Sequence, residues 1–285
     1  MNIFQHLFHK KPESVEQQTG TLPFLTLLMK GLPSLDAVAE EVLCDDIKKL
    51  EVENTPYVKI KTELNEAGKL MADISFNDHT VHVLGSATQI PKETQRVIDI
   101  APVTHEEKQR ALTHDAQVSL TYAGQSADPV EQYIALYKVA HAFLTYTIVG
   151  VLNEPAWLFH GPEAIQDIVR LENIKTSRGA WPVISYWISF LPLRTDHGLW
   201  FFTKGNHIFG MQDFAIKVSS LEQNDTDKAF DLFVNFFHYV RRTRTSIAPG
   251  TTLDWGEGRY ALQEVAEEKE WLQGPKGTIV FEKAG

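Results

Sequence analysis

The apolar positions of this chain fall into two rhythms, one of period two and one near 3.6, and the switches between them outline its elements. Residues 22–30, LPFLTLLMK, form a continuous apolar run bounded by Gly31 and Pro33, the pattern of a buried strand. Leu35, Val38, Ala39, Val42 and Leu43 then recur at helical spacing behind Ser34, a natural N-cap. Leu70, Ala72, Ile74 and Phe76 alternate along one strand face, residues 77–79 turn tightly, and TVHVL returns. Helical spacing resumes over 92–100 and 105–112, with Pro102 breaking it between, and 116–124 read as a further strand. The order β-α-β-β-α-β is the signature of a ferredoxin-like unit.

A stronger helical signal follows. Asp128 stands at the cap, Pro129 at the first helical position and Glu131 at the third. Val130, Tyr133, Ile134, Tyr137, Ala140 and Leu144 form one face, and Ala135, Val139, Ala142 and Phe143 cover much of the rest. A helix apolar nearly all round packs between layers. TIVGVL reads as a core strand and GPEAIQDIVRL as a shorter helix. From Trp181 onward WPVISYWISFLPLR, GLWFFTKG, NHIFG and FAIKVSS predict successive antiparallel strands. A second long helix near 226–242 shows Ala229, Phe230, Phe233, Phe236, Phe237 and Val240 on one face. Strands near 251–255, 259–265 and 278–282 finish the chain.

The expected fold class is therefore α+β, with a flexible amphipathic segment over residues 1–19 and a ferredoxin-like βαββαβ half over 20–124. A second, mostly antiparallel α+β half over 125–285 packs around a central helix, and the two halves form one compact unit.

Composition narrows the function. The formal charge of -10 disfavours nucleic-acid binding, which needs a basic face, and leaves a basic partner protein open. The one dense basic cluster, Arg241, Arg242 and Arg244, sits where cations complement a helix C-terminus; an anion or partner contact is the alternative. A single cysteine, Cys44, excludes an internal disulfide and a thiolate metal cage, and fits a reducing cytoplasm. No stretch reaches the roughly 20 apolar residues of a membrane helix. Ile3, Phe4, Leu7 and Phe8, followed by Lys10 and Lys11, lack the design of a signal peptide. They predict either a frayed terminus or a short amphipathic helix through which residues 1–11 touch a membrane surface or a partner.

Catalytic signatures do not stand out. The chain has no GxxxxGK[ST], no GxGxxG after a strand, no HExxH and no Cys/His cluster, so neither cofactor nor metal is expected. His141 reads as a satisfied core histidine, His238 as solvated on the polar face of its helix, and His82 as lying opposite Val81 and Val83. The adjacent acidic pairs Asp45–Asp46, Glu106–Glu107 and Glu267–Glu268 read as solvated charge. One polar cluster remains: His114 at a sheet edge, and Thr203, Lys204, Asn206 and His207 in WFFTKGNHIFG. There Gly205 and Asn206 tolerate the positive φ of a hairpin turn, and Thr203 and His207 would flank it.

The succession from HDAQVSLTYAG through DPVE to IVGVLNEPAWLF, and later WPVISYWISF followed by FFTKGNHIFGMQDFAI, resembles the domain-of-unknown-function 4261 family of bacterial proteins. The positions that carry the resemblance are His114, Gly150, Val151, Pro155, Thr203, Gly205, Phe209, Gly210 and Asp213, over roughly the last two-thirds of the chain. The resemblance implies a bacterial, cytosolic α+β protein and brings no catalytic residues. The expected function is a non-enzymatic protein-interaction module in a toxin–immunity or stress-related setting. The alternative is a small-molecule-binding protein or hydrolase-type enzyme, with a cleft between the halves that joins His114, Thr203 and His207.

Overall fold

The computed structural model describes residues 22–50, 57–66, 68–170, 173, 183–196, 198–256, 258–265 and 272–284. The amphipathic segment 1–19, Trp181 and the Glu267–Glu268 pair lie outside them. The fold is mixed α+β with two sheets, in two compact units, Leu22–Trp187 and Ile188–Gly285.

In the first unit β1 (Phe24–Met29), β2 (Val58–Glu66), β3 (Lys69–Phe76), β4 (His79–Ser86), β5 (Ala116–Tyr122), β6 (Ile148–Asn153) and β7 (Leu158–His160) make one sheet. Its order is β2-β3-β4-β5-β1-β6-β7, and every neighbouring pair is antiparallel. A ferredoxin-like unit would place β1 between β4 and β5, whereas here β5 lies between β4 and β1. The connection explains the difference. One crossover helix carries a chain to the far end of a sheet, but α2 (Lys92–Ile100) and α3 (His105–Leu112) form a pair. The chain thus returns to the end it left, where Ser86 faces Gln117 and β5 pairs directly with β4. Thr104 and Glu107 close a capping box on α3, which restarts the helix after Pro102.

Helix α1 (Ala37–Lys49) begins at Asp36, whose carboxylate accepts from the N–H groups of Val38 and Ala39, and not at Ser34. Its buried positions are Leu43 and Ile47, while Val38 and Val42 are exposed. Helix α4 (Pro129–Ala142) is buried on almost every side, as its sequence predicts, and touches β1, β4, β5, α1 and α5 (Pro162–Val169). It belongs to the first unit, as does β6, which pairs with β1, so the boundary expected at 124 falls inside a compact body. On the opposite face, among the described residues, α2 and α3 pack on the β1–β6–β7 end, through Ile98, Val97 and Ala111 against Leu28, Leu152 and Phe159.

Strand β2, with alternating polar and apolar positions over 58–66, is an edge of this sheet. Lys59 and Lys61 stand exposed along it, and a bulge interrupts its register between Thr62 and Leu64.

In the second unit β8 (Ser189–Thr195), β9 (Gly198–Lys204), β10 (Asp213–Val218), β11 (Thr252–Trp255), β12 (Gly258–Glu264) and β13 (Thr278–Lys283) form a sheet of order β11-β12-β13-β10-β9-β8. It is antiparallel apart from the parallel β10–β13 pair. Helix α6 (Gln223–Thr243) is the packing helix here. Its Phe233 and Phe236 meet Phe214 and Phe281 edge-on or tilted, with ring centroids 5.0–5.7 Å apart. NHIFG, expected as a strand, is instead a single 3-10 turn, Asn206–Phe209.

Close packing within the first sheet yields a direct check. A Cβ on Gly150 would lie 2.2 Å from the Phe159 ring, which is buried. Gly150→Ala is expected to lower stability by roughly 1–3 kcal/mol through overpacking, read from urea unfolding. An unchanged midpoint would mean that the Phe159 ring yields freely.

Candidate functional site

The polar stretch after β9 folds as a knot and not as a tight hairpin. Gly205 and Gly210 have φ of +112° and +76°, which only glycine adopts readily, and they bracket the 3-10 turn. Asn206 lies inside that turn without positive φ. The Thr203 hydroxyl oxygen accepts from the Phe214 N–H at 2.9 Å and from Asn206 Nδ2 at 3.1 Å. Asn206 Nδ2 also donates to the Gln212 carbonyl at 2.8 Å.

Lys204 and Asp213 lie on adjacent strands, 3% and 1% exposed. Lys204 Nζ donates to the carbonyls of Leu272 at 2.9 Å and Gln273 at 2.7 Å, and stands 4.0 Å from Asp213 Oδ2. Asp213 Oδ1 accepts from the Asn206 N–H at 3.1 Å, while its Oδ2 has no hydrogen-bond partner. Asn206 Oδ1 and His207 Nδ1 are likewise buried without partners. Burial pushes the Asp213 carboxyl up to about 7, against the opposing pull of Lys204 and the N–H groups of Asn206 and Gly205. Burial lowers Lys204, with Asp213 opposing, and lowers His207, which Lys204 and Lys276 depress further. Most of the bonds in this cluster run to backbone, so it fixes a loop and the segment that crosses it.

The other expected residues divide differently. His114 belongs to the first unit and is fully buried. Its Nδ1–H donates to the Ala111 carbonyl at 2.7 Å, and its Nε2 accepts from the Ile90 N–H at 2.9 Å. Both ring nitrogens are therefore committed to tying α3 to the start of α2. Arg241 and Arg242 occupy the last turn of α6, and Arg244 takes a left-handed conformation at its C-cap, with its N–H on the Val240 carbonyl. His238, expected to be solvated, is half-buried, and burial followed by Arg241 and Arg242 pushes its pKa down to about 4. His141 is half-buried with Nδ1 unpartnered, not a satisfied core residue. Among the described residues no group of three or more His, Cys, Asp or Glu is placed to hold a metal.

A second polar arrangement lies in the first unit. Tyr133 and Tyr137, one turn apart on α4, are fully buried. Asn153 Nδ2 donates to the Tyr133 hydroxyl at 2.9 Å and to the Trp187 carbonyl at 3.3 Å, and the Tyr133 ring stacks on Trp187 at 5.5 Å. One turn on, the Tyr137 hydroxyl meets His160 Nδ1 at 3.0 Å, and His160 Nε2–H donates to the Ser185 carbonyl at 3.2 Å. Ser185 has φ of +91°, a strained value for serine. The two relays thus clamp the kinked segment Val183–Tyr186 and the residue after it. Sequence reasoning took both tyrosines as core packing. The available signal was that two hydroxyls on a buried helix face require partners.

The uncovered part of the first sheet carries a third feature. Leu64, Met71 and Leu84 are cross-strand neighbours on β2, β3 and β4. Met71 is 37% and Leu84 52% exposed. The parallel row beside them runs Lys61, Asp73, His82 and Thr121, with His82 Nδ1 2.6 Å from Asp73 Oδ1. No protein-family model, curated protein or solved structure matches the chain.

The His160 relay has a pH consequence. Burial pushes His160 down to about 4, below the 6.5 of an unfolded histidine. Its contribution is present above 6.5 and is lost as pH falls toward 4. Wild type should lose up to roughly 3 kcal/mol more than His160→Gln between pH 7 and 4, measured by urea unfolding at each pH. Parallel curves would remove His160 from the acid response.

Proposed function

We propose that this chain is a protein-interaction module that docks a partner on the open face of its first sheet. What carries the reading is the row Leu64, Met71 and Leu84, with two large apolar side chains turned to solvent on neighbouring strands. Exposed apolar groups set in a polar rim, here Lys61, Asp73 and His82, characterise docking surfaces. The polar residues best suited to chemistry point the same way, because Thr203, Lys204 and His114 each bond to backbone groups. The proposal places the protein in the cytoplasm, in line with its one free cysteine, and keeps membership of the 4261 family and a toxin–immunity or stress setting as its context. Among the described residues no helix is long and apolar enough to cross a membrane.

The test compares full-length wild type with a Met71→Glu, Leu84→Glu double variant in affinity capture from native lysate, each checked for intact fold by circular dichroism. A stoichiometric partner whose recovery falls about tenfold or more in the variant is the expected outcome. Equal recovery, or no stoichiometric partner for wild type, overturns the proposal.

A further inference from the structure

The buried pair in the second unit does more than fix a loop, and its geometry is independent of the docking face. Asp213 Oδ2 has no hydrogen-bond partner, yet the Lys204 ammonium is only 4.0 Å away. That ammonium is held instead by two carbonyls of the segment ahead of β13, Leu272 and Gln273. Gly274 packs so closely on the carboxyl that a Cβ there would lie 2.2 Å from Oδ2. The Leu272 carbonyl accepts a second bond, from the Thr278 hydroxyl at 2.7 Å. The turn beside the pair is hinged at both ends by positive-φ glycines, Gly205 and Gly210.

We propose that Lys204 and Asp213 form a proton-controlled latch on the segment 272–274. With the carboxyl protonated, Lys204 stays on the carbonyls of Leu272 and Gln273. When the proton leaves to solvent, the buried carboxylate draws the ammonium across about 1 Å to direct contact, and the two carbonyls are released. The charged and titratable groups around the exchange are Lys204 on β9, His207 on the turn and Lys276 ahead of β13.

The sign follows from the direction of the Asp213 shift. Its folded value is raised, so the protonated, closed form is fully favoured below about 4, and that preference is lost as pH rises through about 7. The amides of Gly277, bonded to the Gly274 carbonyl at 2.9 Å, and of Asp213, bonded to the Gly277 carbonyl at 3.1 Å, report on the segment.

Hydrogen exchange of the full chain at pH 5.5 and 8.5, corrected for intrinsic rates, tests the latch. Protection of these amides should fall about tenfold at the higher pH in wild type and stay constant in Asp213→Asn. Lys204→Met should lack the protection at both values. The same pH response in Asp213→Asn, a flat response in wild type, or full protection in Lys204→Met overturns the proposal. Should the variants fail to fold, the carboxyl carbon of Asp213 in wild type decides: a titration midpoint near 7 supports the latch, and an ordinary one near 4 ends it.

Discussion

Helix α4 is apolar on nearly every side, and that single constraint organises the first unit. A helix so fully buried leaves the hydroxyls of Tyr133 and Tyr137 no route to water, and an unsatisfied buried hydroxyl costs on the order of 1–3 kcal/mol. Both are met by side chains from the next two strands, Asn153 on β6 and His160 on β7. Those partners have bonding capacity left over and extend it to the carbonyls of Trp187 and Ser185. The helix therefore determines where the chain must be held much later, at Ser185 and Trp187. The strained backbone at Ser185 persists because it is tied from the core outward.

Much of this could be read from the residues. Period-two and period-3.6 spacing located β1, β3, β4, β5, α4 and α6 to within a few positions, because each buries one face or all faces. Strand topology was less legible. The break at Pro102 is legible, but the hydrophobic pattern does not say whether the two helical pieces run on as one crossover or fold back as a pair, and these deliver the chain to opposite ends of a sheet. NHIFG failed for a related reason: five residues are too few to show a period, and Gly205 and Gly210 set the backbone.

The site residues divide along the same line. Thr203, Lys204, Asn206 and His207 stand together in the structure as they do in sequence, but their principal partner, Asp213, was seen only as part of a motif. His114 is a fully bonded staple in the other unit. A polar residue in a list does not reveal how many of its bonds the backbone has already taken, and that count separates a reactive side chain from a structural one. Asn153 escaped notice because one asparagine ending an apolar strand carries no pattern at all.

The edge of the first sheet adds a last point. Strand β2 meets solvent with Lys59 and Lys61 along it and a bulge between Thr62 and Leu64. Another strand aligning beside it would bring its backbone against two ammonium groups and lose register at the bulge. Growth of the sheet sideways, the route to fibres and to swapped dimers, is thereby discouraged at its longest free border. The broad side presents leucine and methionine while the border presents lysine, so the two directions of approach are governed by different residues.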